Sequence, residues 1–311
     1  MNSSDFRASN NDWYKALWNY HYLCTSITIL MNVKLCQVLR RSFSGIPNAG
    51  NRFYEEARAV FEPAKEVYNI FLDKRRLVTP KQNPVKIHSE ALALVVAEEW
   101  NMQKDELRTN LMRLTGLIFT AIDNPMSLEK SDVLSQVLQF LDKDTILYRL
   151  EENTNLLQLE ETNWNPVVEW VNSEYGLSVR PNSFRMKSSW IMSDISIIFP
   201  EAVIANDSRI RLANQLSCYN FLQLIGLQYA TESLKSVFLT LATVSHRLHV
   251  DEAVELALLE QKYQSDIWGK VEWAHDIERE ELISRLSAGV LLVHLGDLES
   301  EYGTKSQEKK L

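Results

Sequence analysis

Residues 67–100 read VYNIFLDKRRLVTPKQNPVKIHSEALALVVAEEW, and the periodicity changes inside this stretch. Val67-Tyr68-Asn69-Ile70-Phe71-Leu72 is rich in β-branched and aromatic residues, the composition of a strand. Asp73-Lys74-Arg75 supplies a turn, Leu77-Val78-Thr79 returns, and Pro80, which has no N–H for a ladder, stops the return. Val85 and Ile87 alternate with Lys86 and His88 in another short strand. Ser89 then stands where a helix N-cap is expected, with the acid Glu90 in the first turn and a helix running to Trp100. On the N-terminal side the pattern is equally short and β-like back to Arg52. On the C-terminal side, from Glu106, it is helical nearly to the end, with helices predicted over about 106–122, 127–141, 154–175, 208–243, 250–267 and 271–295. The expectation is an α+β fold: a small N-terminal β-containing unit followed by a larger, mainly helical, orthogonal bundle-like domain. The divisions read as 1–50 for an N-terminal extension and transit peptide, 51–125 for the small α+β domain, 126–298 for the helical domain and 299–311 for a polar tail.

The charge balance narrows the function. Lys and Arg number 33 against 41 Asp and Glu, a formal net charge of −8, which argues against a non-specific nucleic-acid binder. Hydrophobic residues at 45% and charged residues at 24% are the mix of a soluble globular protein with a sizeable core. Cys24, Cys36 and Cys218 are too few for a disulfide framework and form no C-x-x-C pair for zinc, so the chain reads as reduced and intracellular.

The charge is also unevenly spread. No acid occurs between Asp12 and Glu55, while Lys15, Lys34, Arg40, Arg41 and Arg52 fall in that interval. From Met31 the sequence MNVKLCQVLRRSFSG puts Leu35, Val38, Leu39 and Phe43 on one helical face and Lys34, Gln37, Arg40 and Arg41 away from it. An Arg-rich, acid-free amphipathic segment of this kind is expected of a mitochondrial transit peptide, with residues 1–30 as an alternative start or extension. The apolar run Tyr22–Val33 is too short for a membrane-crossing helix, and later apolar stretches are interrupted by Gln223, Gln228, Glu232 and Lys235, so no membrane span is expected.

Motifs that carry enzyme chemistry are missing. There is no G-x-G-x-x-G, no G-x-x-x-x-G-K-[ST], no H-E-x-x-H and no G-x-S-x-G. Cys218 falls in a helical apolar pattern, where a buried inert thiol is expected. His246-x-x-His249 reads as a surface pair on one helical face rather than a metal site, since no third ligand is near. Glu272-x-x-His275 is half of a di-iron carboxylate signature whose second half is absent. No cofactor is therefore expected. What remains concentrated is aromatic and acidic: Glu98-Glu99-Trp100, Trp164 and Trp170, and the run from Trp268-Gly269 through Trp273-Ala274-His275-Asp276. Taken singly, these tryptophans read as core anchors.

Taken in order, the residues are more specific than any single motif. Arg52-Phe53-Tyr54, Leu72-Asp73, Arg75 and Thr79-Pro80 come first. Ala97-Glu98-Glu99-Trp100, Gln103, Leu114-Thr115 and Thr120-Ala121-Ile122-Asp123 follow. Asp144-Thr145-Ile146, Tyr148-Arg149, Trp164, Pro166, Glu169-Trp170, Tyr219-Asn220, Trp268-Gly269 and Glu272-Trp273-Ala274-His275-Asp276 complete the series. This resembles the mitochondrial F1-ATPase assembly factor family that chaperones the α subunit of ATP synthase, over residues from about 51 to 296. The resemblance implies a mitochondrial matrix protein that binds the unassembled F1 α subunit until it meets β, with no catalysis and no nucleotide hydrolysis. It makes Trp100, Trp268, Gly269, Trp273, His275 and Asp276 structural motif residues. The chain departs from the family pattern at Lys74, where a turn Gly is usual, at Arg113, where Pro is usual, and over 183–204, which is longer and more apolar. The rival readings are a helical metal or redox enzyme of the matrix, built around Glu272 and His275, and a generic matrix scaffold.

Two residues carry sharper expectations. Trp100 ends a helix whose Leu92, Val95 and Val96 are apolar, so it is expected to close the joint between that helix and the β unit. Projected at about 100° per residue, 250–267 puts Asp251, Glu255, Lys262 and Asp266 on one side and Ala253, Leu256, Ala257, Gln264 and Ile267 on the other, with Glu260 among the apolar set. Either Glu260 pairs internally with Arg279 or Arg285, or Glu260, Gln264 and Ile267 belong to a docking patch where the carboxylate meets a basic group of the client. The resemblance favours the second.

Overall fold

The computed structural model describes residues 50–150, 153–184, 204–270 and 273–296. The expected transit peptide, the 299–311 tail, Glu272 and most of 183–204 lie outside the described residues. The fold is the expected α+β arrangement of a small sheet followed by helices. Strands β1 (Ala57–Glu62) and β2 (Val67–Leu72) form an antiparallel hairpin in which Ala57 faces Leu72 and Glu62 faces Val67. Asp73 turns the chain in the left-handed region, at φ 54°, which an aspartate tolerates, so the turn needs no glycine at Lys74. Its carboxylate accepts the N–H groups of Glu55 and Glu56. The return is shorter than expected. Only Arg75–Arg76 (β3) pairs with β2 before Lys86–Ile87 (β4) takes the rest of its edge.

Helix α1 (Glu90–Asn101) begins as read, with the Ser89 hydroxyl accepting Leu92 N–H at 3.3 Å. Leu92, Val96 and Trp100 recur at the four-residue spacing of one helical face, and all three are buried. Helix and sheet are joined here. The Tyr54 hydroxyl donates to the Trp100 carbonyl at 2.7 Å, and the Asn101 amide exchanges hydrogen bonds with both backbone groups of Ala57.

The later helices are shorter than the sequence suggests. The first opens as a 3-10 turn, Thr109–Leu111, before α2 (Arg113–Asp123), and α3 (Lys130–Gln139) tightens into a second such turn, Phe140–Lys143. Residues 208–243 are not one helix but three: α5 (Asn206–Leu216), α6 (Phe221–Leu234) and α7 (Val237–Val244). The breaks have local causes. Asn220 and Gln223 form a capping box, and Lys235 at φ 56° precedes the N-cap Ser236. Likewise 250–267 breaks at Leu258 into α8 (Val250–Ala257) and α9 (Leu259–Trp268), while α4 (Thr154–Tyr175) and α10 (Ala274–Leu295) close the set. A short parallel pair, β5 (Tyr148–Leu150) with β6 (Asn182–Phe184), brackets α4.

Helices α6 and α10 cross closely at two glycines. A Cβ placed on Gly289 would stand 2.7 Å from the Gly226 carbonyl oxygen, and one on Gly226 would stand 2.8 Å from that of Gly289. Among the described residues no helix is long and apolar enough to cross a membrane.

Candidate client-binding surface

Helix α9 ends at Trp268 because Gly269, at φ 93°, takes a conformation closed to other residues. The chain re-enters helix at α10, with Trp273 left-handed at its N-cap, φ 69°. Around this corner the apolar side chains point outward. Ile267 is 53% exposed, Trp268 52%, Trp273 71% and Ile277 65%. Large apolar groups close together on a surface usually mark an interaction site. The expectation that these two tryptophans are core anchors is therefore wrong. Both flank a helix break, where neither helix offers them an inner face, and that was the signal in the sequence. Trp100 and Trp164 are buried as expected.

Polar contacts stiffen the corner from behind. Gln261 Nε2 lies 3.0 Å from His275 Nδ1 and donates to Glu278 at 2.7 Å, so α9 and α10 are tied across the turn. Ser265 Oγ reaches His275 Nε2 at 3.4 Å. His275 is thus a half-buried clamp, and Asp276 beside it is exposed. The Tyr263 hydroxyl donates to Asn153 Oδ1 at 3.1 Å, which pins α9 to the start of α4. Trp164 Nε1 donates to the Leu256 carbonyl at 2.9 Å, holding the end of α8.

Of the three proposed contact residues, Ile267 is exposed while Gln264 and Glu260 are half-buried. The single apolar stripe does not form, because the break at Leu258 resets the helical phase: Ala253 is buried with α8, Leu256 and Ala257 are half-buried, and Ile267 ends α9. The two internal partners considered for Glu260 each carry ion pairs to other acids. Arg279 is held by Glu255 at 2.6 Å and Glu280 at 2.9 Å, and Arg285 by Glu281 at 2.9 Å. The Arg279 bond holds the Glu255 carboxyl below its ordinary range. Glu260 instead faces Glu160 of α4 and Arg149 of β5. Glu160 was missed, although it follows Leu156 and precedes Trp164 by four residues and so falls on the buried face of its helix.

The other chemical candidates are placed differently. Cys218 is exposed in the turn after α5 ends, not buried in a helix. His246 and His249 do not share a helical face. His246 sits in the left-handed region at φ 55° and stacks on His294 at 4.5 Å, whereas His249 caps α8 with Glu252. Among the described residues no cluster of His, Cys, Asp and Glu could hold a metal ion.

Comparison with known proteins places the chain in a family. Residues 51–172 match the family model described as ATP12 chaperone protein. The mitochondrial protein atp12 of Schizosaccharomyces pombe is 31% identical over 231 residues, covering 72% of this chain and 76% of the relative. Two crystal structures share the fold. Atp12 from Paracoccus denitrificans superposes with a TM-score of 0.66 at 21% identity, over 79% of this chain and 98% of that one. The Atu1473 protein of Agrobacterium tumefaciens superposes with a TM-score of 0.70 at 23% identity, over 83% and 90% of the two chains. With a relative of this identity spanning most of both sequences, the chain belongs to the ATP12 chaperone family.

Proposed function

We propose that this protein is an ATP-independent assembly chaperone of the mitochondrial matrix that binds the unassembled F1 α subunit of ATP synthase and keeps it from aggregating until it joins β. The observation that carries the reading is the outward-facing corner of Ile267, Trp268, Trp273 and Ile277 on a chain of the ATP12 chaperone family. A subunit waiting for its neighbours exposes an interface more apolar than ordinary surface. Aromatic anchors cover such a patch at low entropic cost, and tryptophan is enriched at the energetic centres of interfaces. Glu260 and Gln264 lie on the same helix, behind Ile267, and supply polar contacts to a basic group of the client. The work is binding and release, so the reading needs no catalytic residue and no cofactor.

Capture of the F1 α subunit by purified variants tests this. Replacing Trp268 and Trp273 together by serine removes exposed apolar surface. The double variant should melt like the wild type and lose at least about tenfold in retention of the α subunit, the scale of one interface hot spot. Glu260→Lys should fold and fail to hold the client. Retention at wild-type strength by the folded tryptophan variant would defeat the corner as the contact, and the same result for Glu260→Lys would remove Glu260 from it.

A further inference from the structure

Strand β1 lies at the edge of the four-stranded sheet, with β2 on one side of it. Asp73 N–H donates to the Glu56 carbonyl at 2.9 Å, so the hydrogen-bonded pairs of that ladder fall on Glu56, Arg58, Val60 and Glu62. The N–H and C=O groups of Ala57, Ala59 and Phe61 therefore point away from β2. Ala57 is already closed. Its N–H donates to Asn101 Oδ1 at 2.8 Å and its carbonyl accepts Asn101 Nδ2 at 3.1 Å, so one side-chain amide stands in for a strand residue. Among the described residues nothing meets the outward groups of Ala59 and Phe61. The side chains beside them are uncovered as well, Val60 at 44% exposure and Phe61 at 47%, with the Phe61 ring 4.9 Å from that of Tyr68. An open, apolar strand edge is a template for another strand.

The sequence of β1, ARAVFE, is complementary to itself. Across an antiparallel ladder the outward groups of one strand bond those of the other, which makes Ala59 and Phe61 the residues to be matched. Matching Ala59 to Phe61 of a second copy, and Phe61 to its Ala59, centres a two-fold axis on Val60. This register sets Val60 against Val60, and Arg58 against Glu62 in both directions. Opposite charges across a strand pair stabilise it, and like charges destabilise it. Arg58 has an exposed side chain and pairs with the exposed Glu56 at 3.0 Å. The Glu62 carboxylate holds Lys65 and Asn69 and keeps lone pairs for a further donor. Other registers fail at one end or the other. Those displaced toward Ala57 need groups that Asn101 occupies, and those displaced the other way need an N–H from Pro63, which has none.

We propose that the β1 edge is a self-association surface, on which two copies of this chain pair antiparallel through β1 and join their sheets across a two-fold axis at Val60. The ladder is short, and a contact of this extent falls below a standard interface. The dimer is therefore weak, with a dissociation constant between about 1 μM and 1 mM. An edge closed in this way no longer offers itself to other unpaired strands. The pairing does not rest on the client reading above.

Sedimentation of the full chain across that concentration range tests the pairing, and a monomer–dimer equilibrium is expected. In Val60→Lys two like charges meet on the axis, so the dissociation constant should rise at least about tenfold. The dilute monomer should melt as the wild type does, because Val60 is exposed. Arg58→Glu should weaken the dimer likewise, and Arg58→Glu combined with Glu62→Arg should restore it, which a purely local effect on β1 would not do. If loss of the bond from Asn69 to Glu62 unfolds the double variant, cysteine cross-linking decides the register instead. Val60→Cys brings two Cα atoms to about 4.5 Å across the axis, within disulfide reach, and should link to itself on oxidation. Arg58→Cys sets its sulfurs four residues of strand apart, about 13 Å, and should not. Mass spectrometry of the linked peptides separates either product from one through the exposed Cys218. A chain that stays monomeric at about 1 mM, a dimer indifferent to Val60→Lys, or equal cross-linking at 58 and 60 overturns the proposal.

Discussion

Trp100 and Trp268 are the same residue type with opposite fates, and the difference is legible one residue at a time. Trp100 extends the Leu92, Val96 spacing inside a helix, and the structure buries it to 4% exposure, its ring centroid 5.7 Å from that of Tyr54. Trp268 is the last residue before a glycine at positive φ, and it is left half in water. Glu160 was equally readable from its spacing, whereas its neighbour Glu260 was not, because only the fold brings α9 over α4. Trp100→Arg follows from the same reasoning. It would strip a large apolar surface from the joint of helix and sheet and bury an unpaired charge, a loss of about 4 kcal/mol or more. The expected outcome is little soluble protein and a lowered melting temperature. A normal yield and melting curve would contradict the joint.

At the scale of elements, apolar period located helices well and located their ends poorly. Helix α4 has the limits its pattern suggested, because Asn153 caps one end and Gly176, at φ 61°, closes the other. Residues 208–243 read as one helix because every break within them is made by ordinary polar residues rather than by Gly or Pro. Asn220, Lys235 and Ser236 become boundaries only once their side chains or backbones find caps. The scattered family motifs also resolve into pairs of elements. Glu99 accepts the N–H groups of Leu114 and Thr115 at the start of α2, at 3.0 and 2.8 Å, and Thr79 meets Asp123 at its end. The Asp144 carboxylate accepts Val237 N–H at 2.7 Å and Phe238 N–H at 3.1 Å, capping α7. Between α6 and α10 no side chain intervenes at Gly226 and Gly289, so Gly289→Ala must push backbone off backbone. It should cost about 1–3 kcal/mol, read as a lowered denaturation midpoint with an unchanged slope.

For the whole molecule, the α+β order and the family were legible, while the exposed aromatic corner was not, because exposure is decided by tertiary packing around it. The N-terminal region makes its own prediction. An acid-free, Arg-bearing amphipathic segment ending near Arg41 should be removed on import, with cleavage between about Arg41 and Asn51. Intact mass of the protein recovered from mitochondria decides this, and a mature species that still carries Met31 would rule it out. The glycine crossing reaches beyond stability. Fifteen residues separate Ala274 from Gly289, a lever arm of about 22 Å at the helical rise, and the corner sits at its N-terminal end. Gly226 and Gly289 are its fulcrum, so a tilt of a few degrees there becomes a displacement of an ångström or more at Trp273. A methyl group wedged into the pivot would therefore shift the exposed aromatic corner well before it unfolded the chain.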